Sequence, residues 1–526
     1  MSIQFEIFRD SVANYSRNIV LEYFDRTISY LEMGSVVSSL ALQLGKFVRK
    51  GDVIAVSLQN VPQFVLLEYA AWKLGCIFLP LNPMYTEREL QFMINDAGVS
   101  LIVCLCETFD TVVGAVKNSG KNIPILRTNA HTFHRVPQDL STKWKIVDGP
   151  EDLSLNDEED SAYTPSETSD PALLVYTSGT TGEPKGALIT HGNIFASASI
   201  YRRWFQITPA DKVLGVAPFF HITGLVFHIA AAILSGGSIF MEYRFDPELA
   251  LRSSEAKKTT ITMIAATGYS AMLSSGALQN RDLSTMRLWS SGGMPVPRYL
   301  EENWKQETGK WIYIAWGLTE TTSPSTLWRY PHEGPLPLDH ETNFVSSGVA
   351  VDFTELKIVD TDDPEKESTG LGEIAVKGPQ VIQAYLNRPE ATQKTIVKGW
   401  LLTGDIGKIV NGNLYVIDRK KDIINVSGFK VWPREVEDVL LGHPDVEEVA
   451  VVGIPDPYRG ETVEAFIKLK NGLSPSHSLD ESIMTLARRN LAAFKVPRKM
   501  EFVKEIPKTS SGKIMRRYFR DLKKSD

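Results

Sequence analysis

The sequence predicts an α/β protein, with a large N-terminal multi-layer α/β lobe and a smaller C-terminal α+β lobe. Two observations carry that reading: apolar runs alternate with helical patterns through the first third of the chain, and the units shorten after about residue 410. The length agrees, since 526 residues exceed the roughly 100 to 200 that one domain uses.

Runs 53–56, 77–81 and 101–105 read as buried strands, with 64–74 and 90–94 as the helices between them. Strands spaced by helices in this way pair in parallel. Thr86 and Glu89 form a capping-box pattern at the start of the second helix, each able to satisfy an orphan backbone donor, and Gly98 is placed to end it. Residues 151–170 are acidic, serine-rich and aperiodic, which predicts a surface connection within the large lobe. The apolar run 172–176 follows. Further on, Asn411-Gly412 between apolar stretches predicts a hairpin. Pro433 opens a helix that Gly442 closes. Runs 449–452 and 465–469, with a helical stretch near 483–491, complete the small lobe.

Composition bounds the function. At 43% hydrophobic and 23% charged residues the chain is a packed body rather than a disordered or coiled-coil one. The net charge of -7, from 56 basic and 63 acidic side chains, gives no field for gathering a phosphate backbone, so no nucleic-acid partner is expected. Cys76, Cys104 and Cys106 make neither a disulfide framework nor a zinc cluster, which points to a reducing cytoplasm. Residues 1–9 lack the pattern of a secretory signal, and the most apolar stretch, 225–234, is far shorter than the roughly 20 residues that cross a bilayer. No transmembrane segment is expected; peripheral membrane contact and a homodimer are both compatible with the sequence.

The strongest local chemistry is Thr177-Ser178-Gly179-Thr180-Thr181-Gly182-Glu183-Pro184-Lys185-Gly186. Its glycines let backbone approach an anion, its hydroxyls donate to one, and Lys185 adds a positive charge, so the segment suits polyphosphate. The spacing is not that of a Walker A loop.

With this segment the chain resembles the adenylate-forming superfamily, in its acyl-CoA synthetase and fatty-acid CoA ligase branch. The resemblance rests on six segments in the family's order. After 177–186 come Ser291-Gly292-Gly293-Met294-Pro295, Trp316-Gly317-Leu318-Thr319-Glu320 and Thr403-Gly404-Asp405. Asp418-Arg419-Lys420-Lys421-Asp422 and Pro507-Lys508-Thr509-Ser510-Ser511-Gly512-Lys513 complete the set. The resemblance implies an AMP- and acyl-binding domain over 1–418 and a mobile domain over 419–526 that carries a catalytic lysine. It also implies a reaction in which ATP and magnesium activate a carboxylic acid as acyl-AMP for transfer to CoA.

The same resemblance assigns roles. Thr177, Ser178, Gly179, Thr180, Thr181, Gly182 and Lys185 would grip phosphates. Gly293, Met294, Pro295, Trp316, Gly317 and Leu318 would border the nucleotide, with the Trp316 indole against adenine. Thr319 would contact the α-phosphate and Glu320 would hold magnesium, a hard ion suited to a carboxylate. Asp405 would accept hydrogen bonds from the ribose hydroxyls, helped by the Arg419 fork. Lys513 would bridge the substrate carboxylate and the α-phosphate, and Lys421 would be the hinge. His221, Gly224, Gly292 and Ala315 would border the acid, and Ser427, Gly428, Phe429 and Lys430 would face CoA after rotation of the small domain. Ala266-Thr267-Gly268 and Val345-Ser346-Ser347-Gly348-Val349 depart from the family pattern and are expected at the acyl or nucleotide wall.

The substrate expected is a medium- or long-chain fatty acid. An aryl or cinnamate-type acid, a carrier-loading adenylating enzyme and a non-enzymatic nucleotide-binding regulator are the alternatives. CoA is preferred to a carrier protein because no carrier segment follows Lys513 in the sequence.

Overall fold

The computed structural model describes residues 3–523, apart from 155–162, 178–183, 340, 341, 343, 362, 471 and 510–512. In the first sheet Ile125–Thr128, Val99–Leu105, Val53–Ser57, Ile77–Pro80 and Pro171–Thr177 run parallel, and Lys185–Thr190 closes the edge antiparallel. The predicted helices between these strands are Pro62–Lys73 and Glu87–Ala97. At the start of the latter, Thr86 N donates to Glu89 Oε2 at 2.8 Å and Glu89 N to Thr86 Oγ1 at 3.4 Å; Gly98 ends the helix at φ 63°. Pro62–Lys73 is buried along its whole length, with its polar Gln63 donating to Thr128 Oγ1 at 3.0 Å and Lys73 Nζ to Ser38 Oγ at 2.7 Å. It shares one continuous core with Tyr30–Leu44 and His191–Trp204.

The second sheet carries the functional edge. Ser238–Met241, Lys212–Gly215, Ile261–Ile264, Leu288–Gly292 and Ile312–Leu318 lie side by side in parallel, followed by antiparallel Ser323–Leu327. Ligands in open parallel sheets gather beyond the carboxyl ends of the strands, where Gly292 and Leu318 stand. Farther along, Trp400–Val410 and Asn413–Arg419 form the predicted hairpin, with Asn411 at φ 51° and Gly412 at φ 79°. The apolar stretch near 225–234 is a buried π-helical segment, Gly224–Ala231, running into Ala232–Leu234. Among the described residues no helix is long and apolar enough to cross a membrane.

The smaller domain holds Phe429–Val431, Ile424–Val426, Gly460–Leu469, Val446–Asp456 and Lys499–Phe502 in one sheet. Helices Pro433–Leu441 and His477–Asn490 share a core with it. Gly442 follows its helix at φ -69°, a right-handed conformation rather than the left-handed one that favours glycine.

The two domains meet through specific contacts. Trp432 packs with Phe344, Ile406 and Ile417, and Arg434 N donates to Asp418 Oδ2 at 2.8 Å. Arg516 pairs with Asp418 at 3.2 Å, Asp422 at 3.3 Å and Glu437, which anchors the chain just beyond Lys513.

Candidate active site

A cavity of about 950 Å³ opens at the carboxyl ends of the parallel strands, lined by residues of both domains. One wall is built by a tight reversal. Ile312–Leu318 turns through Thr319–Thr321 into Ser323–Leu327, with Thr322 at φ 48° and Ser323 at φ 77°. Leu318 N donates to Thr321 Oγ1 at 2.8 Å, and that hydroxyl donates to Ser323 O at 2.8 Å. A Cβ on Gly317 would stand 2.3 Å from Ser323 O, so only glycine lets the strand double back there. The reversal presents Thr319 and Glu320 to the cavity. Tyr385 OH donates to Glu320 Oε1 at 2.7 Å, and Lys185 Nζ lies 5.3 Å from the Tyr385 ring centre.

The next wall comes from the hairpin, whose register sets Asp405 opposite Arg419. Arg419 Nε is 2.8 Å from Asp405 Oδ1, and Trp316 Nε1 donates to Asp405 Oδ2 at 3.0 Å. Asp405 above all, then Glu320, Asp422 and Asp418, holds Arg419 above the usual arginine range against the opposing effect of burial. The Trp316 indole, expected only as a stacking face, is 9% exposed, is the hydrogen-bond donor to Asp405, and packs with Ile374, Val376 and Leu414.

Lys513 reaches the cavity from the smaller domain, its N–H donating to Thr509 Oγ1 at 3.1 Å. Burial pushes its amine down to about 8, aided by Arg419 and Lys421 and opposed by Asp405 and Glu320. Burial, then the Lys513 charge, pushes His221 down to about 4. His221 is therefore neutral near pH 7 and serves as a polar wall rather than as a cation.

Of the residues marked in the sequence, the structure brings together Thr177, Lys185, His221, Gly292, Gly293, Ala315, Trp316, Gly317, Leu318, Thr319, Glu320, Arg419 and Lys513. Asp405 stands directly behind Trp316 and Arg419. Ser178, Gly179, Thr180, Thr181 and Gly182 lie outside the described residues.

Three residues expected to border the nucleotide or the acid stand off the cavity, and the turn and hinge expected to act on rotation lie outside it. Gly224 does not line the cavity: a Cβ there would fall 2.3 Å from Pro218 O, so the glycine serves backbone packing behind the wall. Met294 and Pro295 also stand off it, because Gly293 at φ 82° turns the chain away and Met294 packs on the core. Ser427, Gly428, Phe429 and Lys430 form an exposed turn away from the cavity, with the Phe429 ring 4.8 Å from that of Phe494. Lys421 is exposed on the turn Lys420–Asp422.

Neither departing segment reaches the cavity wall. Ala266 opens the helix Ala266–Ser274, and Ser347 N donates to Leu414 O at 2.7 Å in the sheet interior. Tyr385 went unmarked. It meets Glu320 from 65 residues away along the chain, in a loop with no motif of its own.

These features define a two-domain adenylate-forming enzyme: a cavity of nucleotide size, a carboxylate–arginine pair on one wall, a second carboxylate on another, and a lysine delivered by the smaller domain. The chain belongs to the AMP-binding enzyme family, which matches residues 8–386, with the AMP-binding enzyme C-terminal domain matching 435–513. It stands in the acyl-CoA synthetase branch. It is similar to the long-chain-fatty-acid–CoA ligase of Bacillus subtilis (strain 168), at 34% identity over 97% of this chain and 93% of that one. Among solved structures it resembles ATP-bound MatB from Rhodopseudomonas palustris, at TM-score 0.85, 26% identity and coverage of 99% and 98%. It also resembles an anthranilate CoA ligase in complex with anthranoyl-AMP, at TM-score 0.87, 25% identity and coverage of 99% and 97%.

Proposed function

We propose that this enzyme uses ATP to convert a medium- or long-chain fatty acid to its acyl-adenylate, releasing pyrophosphate, and then passes the acyl group to CoA, releasing AMP. The observation that carries the proposal is Lys513, seated in the cavity within the electrostatic reach of Arg419, Asp405 and Glu320. A carboxylate that attacks the α-phosphorus approaches a polyanion, so cations must already be in place and both reactants held in line. Lys513 meets the carboxylate and the α-phosphate together. Thr319 contacts the same phosphate, Thr177 and Lys185 hold the outer phosphates, and Asp405 with Arg419 receives the ribose beside Trp316.

The donor set fits magnesium. Among the described residues no group of three or more His, Cys, Asp or Glu gathers as a metal site, and magnesium needs no such cage because it binds one or two carboxylates and completes its shell with water and phosphate. Glu320, oriented by Tyr385, would hold it, and the ion would neutralise charge on the departing pyrophosphate.

For the second step we propose a domain boundary at 418/419 and rotation about Lys421. Rotation withdraws Lys513 and brings the turn at 427–430, now exposed, to the entering thiol. A cytoplasmic setting is supported by the absence of disulfides, all three cysteines being free thiols. An aryl acid is the second reading, favoured by the likeness to the anthranilate ligase. The proposal is tested by CoA-ester formation from a fatty-acid series and an aryl series under the same conditions. Turnover confined to the aryl series would replace the first reading with the second, and no turnover in either would refute both.

A further inference from the structure

The segments that form the phosphate end of the cavity come from distant parts of the chain, and one carboxylate outside the cavity ties two of them together. Thr177 ends the strand Pro171–Thr177, and Lys185 begins the next strand opposite it. Tyr385, the donor to Glu320, stands on a loop that bridges to Ala187 of that second strand. Gly186 lets all three close up. A Cβ there would stand 2.8 Å from Leu174 Cδ1, 3.3 Å from Tyr176 Cζ and 3.5 Å from Leu386 Cβ, and the Gly186 carbonyl accepts from Leu386 N at 2.8 Å.

Asp96 lies behind this assembly, in the last turn of the helix Glu87–Ala97 and off the cavity wall. Its Oδ2 accepts from Tyr176 OH at 2.8 Å, and its Oδ1 is 2.9 Å from Arg388 Nη2. Its backbone carbonyl accepts from Asn387 Nδ2 at 3.2 Å. Both arms lead to the site by short paths. Tyr176 lines the cavity and is covalently next to Thr177. Arg388 N donates to Tyr385 O at 3.4 Å, closing a turn whose first residue orients Glu320.

The helix itself gives no reason for this carboxylate. An acidic side chain in the last turn faces the negative end of the helix dipole, and no basic residue of that turn offsets it. The Asp96 side chain is 10% exposed and that of Arg388 30%, so the pair is shielded from the solvent screening that makes open surface pairs weak. Among the described residues, its side-chain partners belong to the phosphate end, and none belongs to the adenine or ribose wall.

We infer that Asp96 is a positioning residue for the outer phosphates and their metal. It fixes the end of the Tyr176–Thr177 strand and the Tyr385 turn, and through that turn Glu320, while the AMP half of the nucleotide rests on other walls. This rests on the adenylation reading and adds to it a residue that touches neither substrate.

The test reads binding rather than turnover: calorimetry with AMP, and with the α,β-methylene analogue of ATP plus magnesium, which cannot release pyrophosphate. Asp96→Asn keeps the shape and removes the charge. It should weaken binding of the analogue about tenfold, the worth of one charge-assisted hydrogen bond, and leave AMP affinity unchanged. Arg388→Gln should give the same selective loss, and the double variant should lose little more than either single one, because both remove one contact. Tyr176→Phe tests the other arm and should also weaken the analogue while sparing AMP. Equal loss of both ligands in Asp96→Asn, as a general loosening of the domain would give, overturns the inference; so does unchanged binding of both, or full additivity in the double variant. Those results leave acid activation standing as long as the unmodified enzyme binds both nucleotides and forms adenylate. An unmodified enzyme that binds neither nucleotide overturns the activation reading and the inference with it.

Discussion

Raising the pH from 7 to 9 should slow adenylate formation about tenfold through one lysine. Lys513 is held at about 8, chiefly by burial and then by Arg419. Its charged form is the one that can meet a carboxylate and a phosphate. At that value the amine is roughly nine-tenths protonated at pH 7 and roughly one-tenth at pH 9, so the competent fraction falls about ninefold to tenfold. The assay is kcat/KM for ATP in ATP–pyrophosphate exchange across this range, because kcat/KM reports groups of the free enzyme. Lys513→Arg supplies the control: a guanidinium stays charged throughout, so whatever activity it retains should vary little with pH. A flat profile for the unmodified enzyme, an inflection near the ordinary lysine value, or the same inflection in Lys513→Arg would refute the assignment.

Three further outcomes follow from other parts of the structure. Lys513→Ala should slow adenylate formation by about two to three orders of magnitude, as loss of a preorganised charge does, while CoA attack on supplied acyl-AMP stays largely intact; equal loss in both half-reactions would contradict the division of labour between domains. Trp316→Phe keeps a ring but removes the donor to Asp405, so KM for ATP should rise by about tenfold or more, the cost of a hydrogen bond to a charged group, and an unchanged KM would show the Trp316–Asp405 bond to be idle.

Glu242 concerns stability rather than turnover. It is fully buried, and burial pushes it up to about 8 against the opposing hydrogen bond of Ser253. The folded protein thus holds a proton that the unfolded chain has released, so stability is lost as pH rises from about 4.3 and the loss levels off above about 8. Glu242→Gln should flatten that slope and raise Tm at pH 7.5 by more than at pH 4.5; the same increment at both pH values would rule out titration as the cause.

Local signals were legible where one stretch of chain contains all that an element needs. The Thr86–Glu89 box, the Asn411-Gly412 turn and the Pro433 helix start each depend on neighbours within a few residues, and each formed where its pattern predicted. The parallel order of the first sheet followed from strands separated by helices. The motif residues Thr319, Glu320, Arg419 and Lys513 converge on one cavity, although nearly two hundred residues of sequence lie between the first and the last of them.

What sequence missed depends on encounters between distant segments. Tyr385 acquires its role only by meeting Glu320 across 65 residues. The packing of Gly224 is likewise invisible in its motif, since the approach of Pro218 O to within 2.3 Å of where a Cβ would lie is set by the fold of that segment. Trp316 was only half read, since an indole advertises its ring, while its N–H partner lies on another strand.

The most direct test of the central claim is simultaneous release of pyrophosphate and AMP from purified enzyme with ATP, magnesium and a panel of fatty, aryl, short-chain and amino acids, each with and without CoA. The account predicts pyrophosphate release that depends on a fatty acid, with AMP release that rises when CoA is added. Pyrophosphate release with no CoA-dependent rise in AMP would contradict CoA as the acceptor, and no acid-dependent release of either product would contradict acid activation altogether.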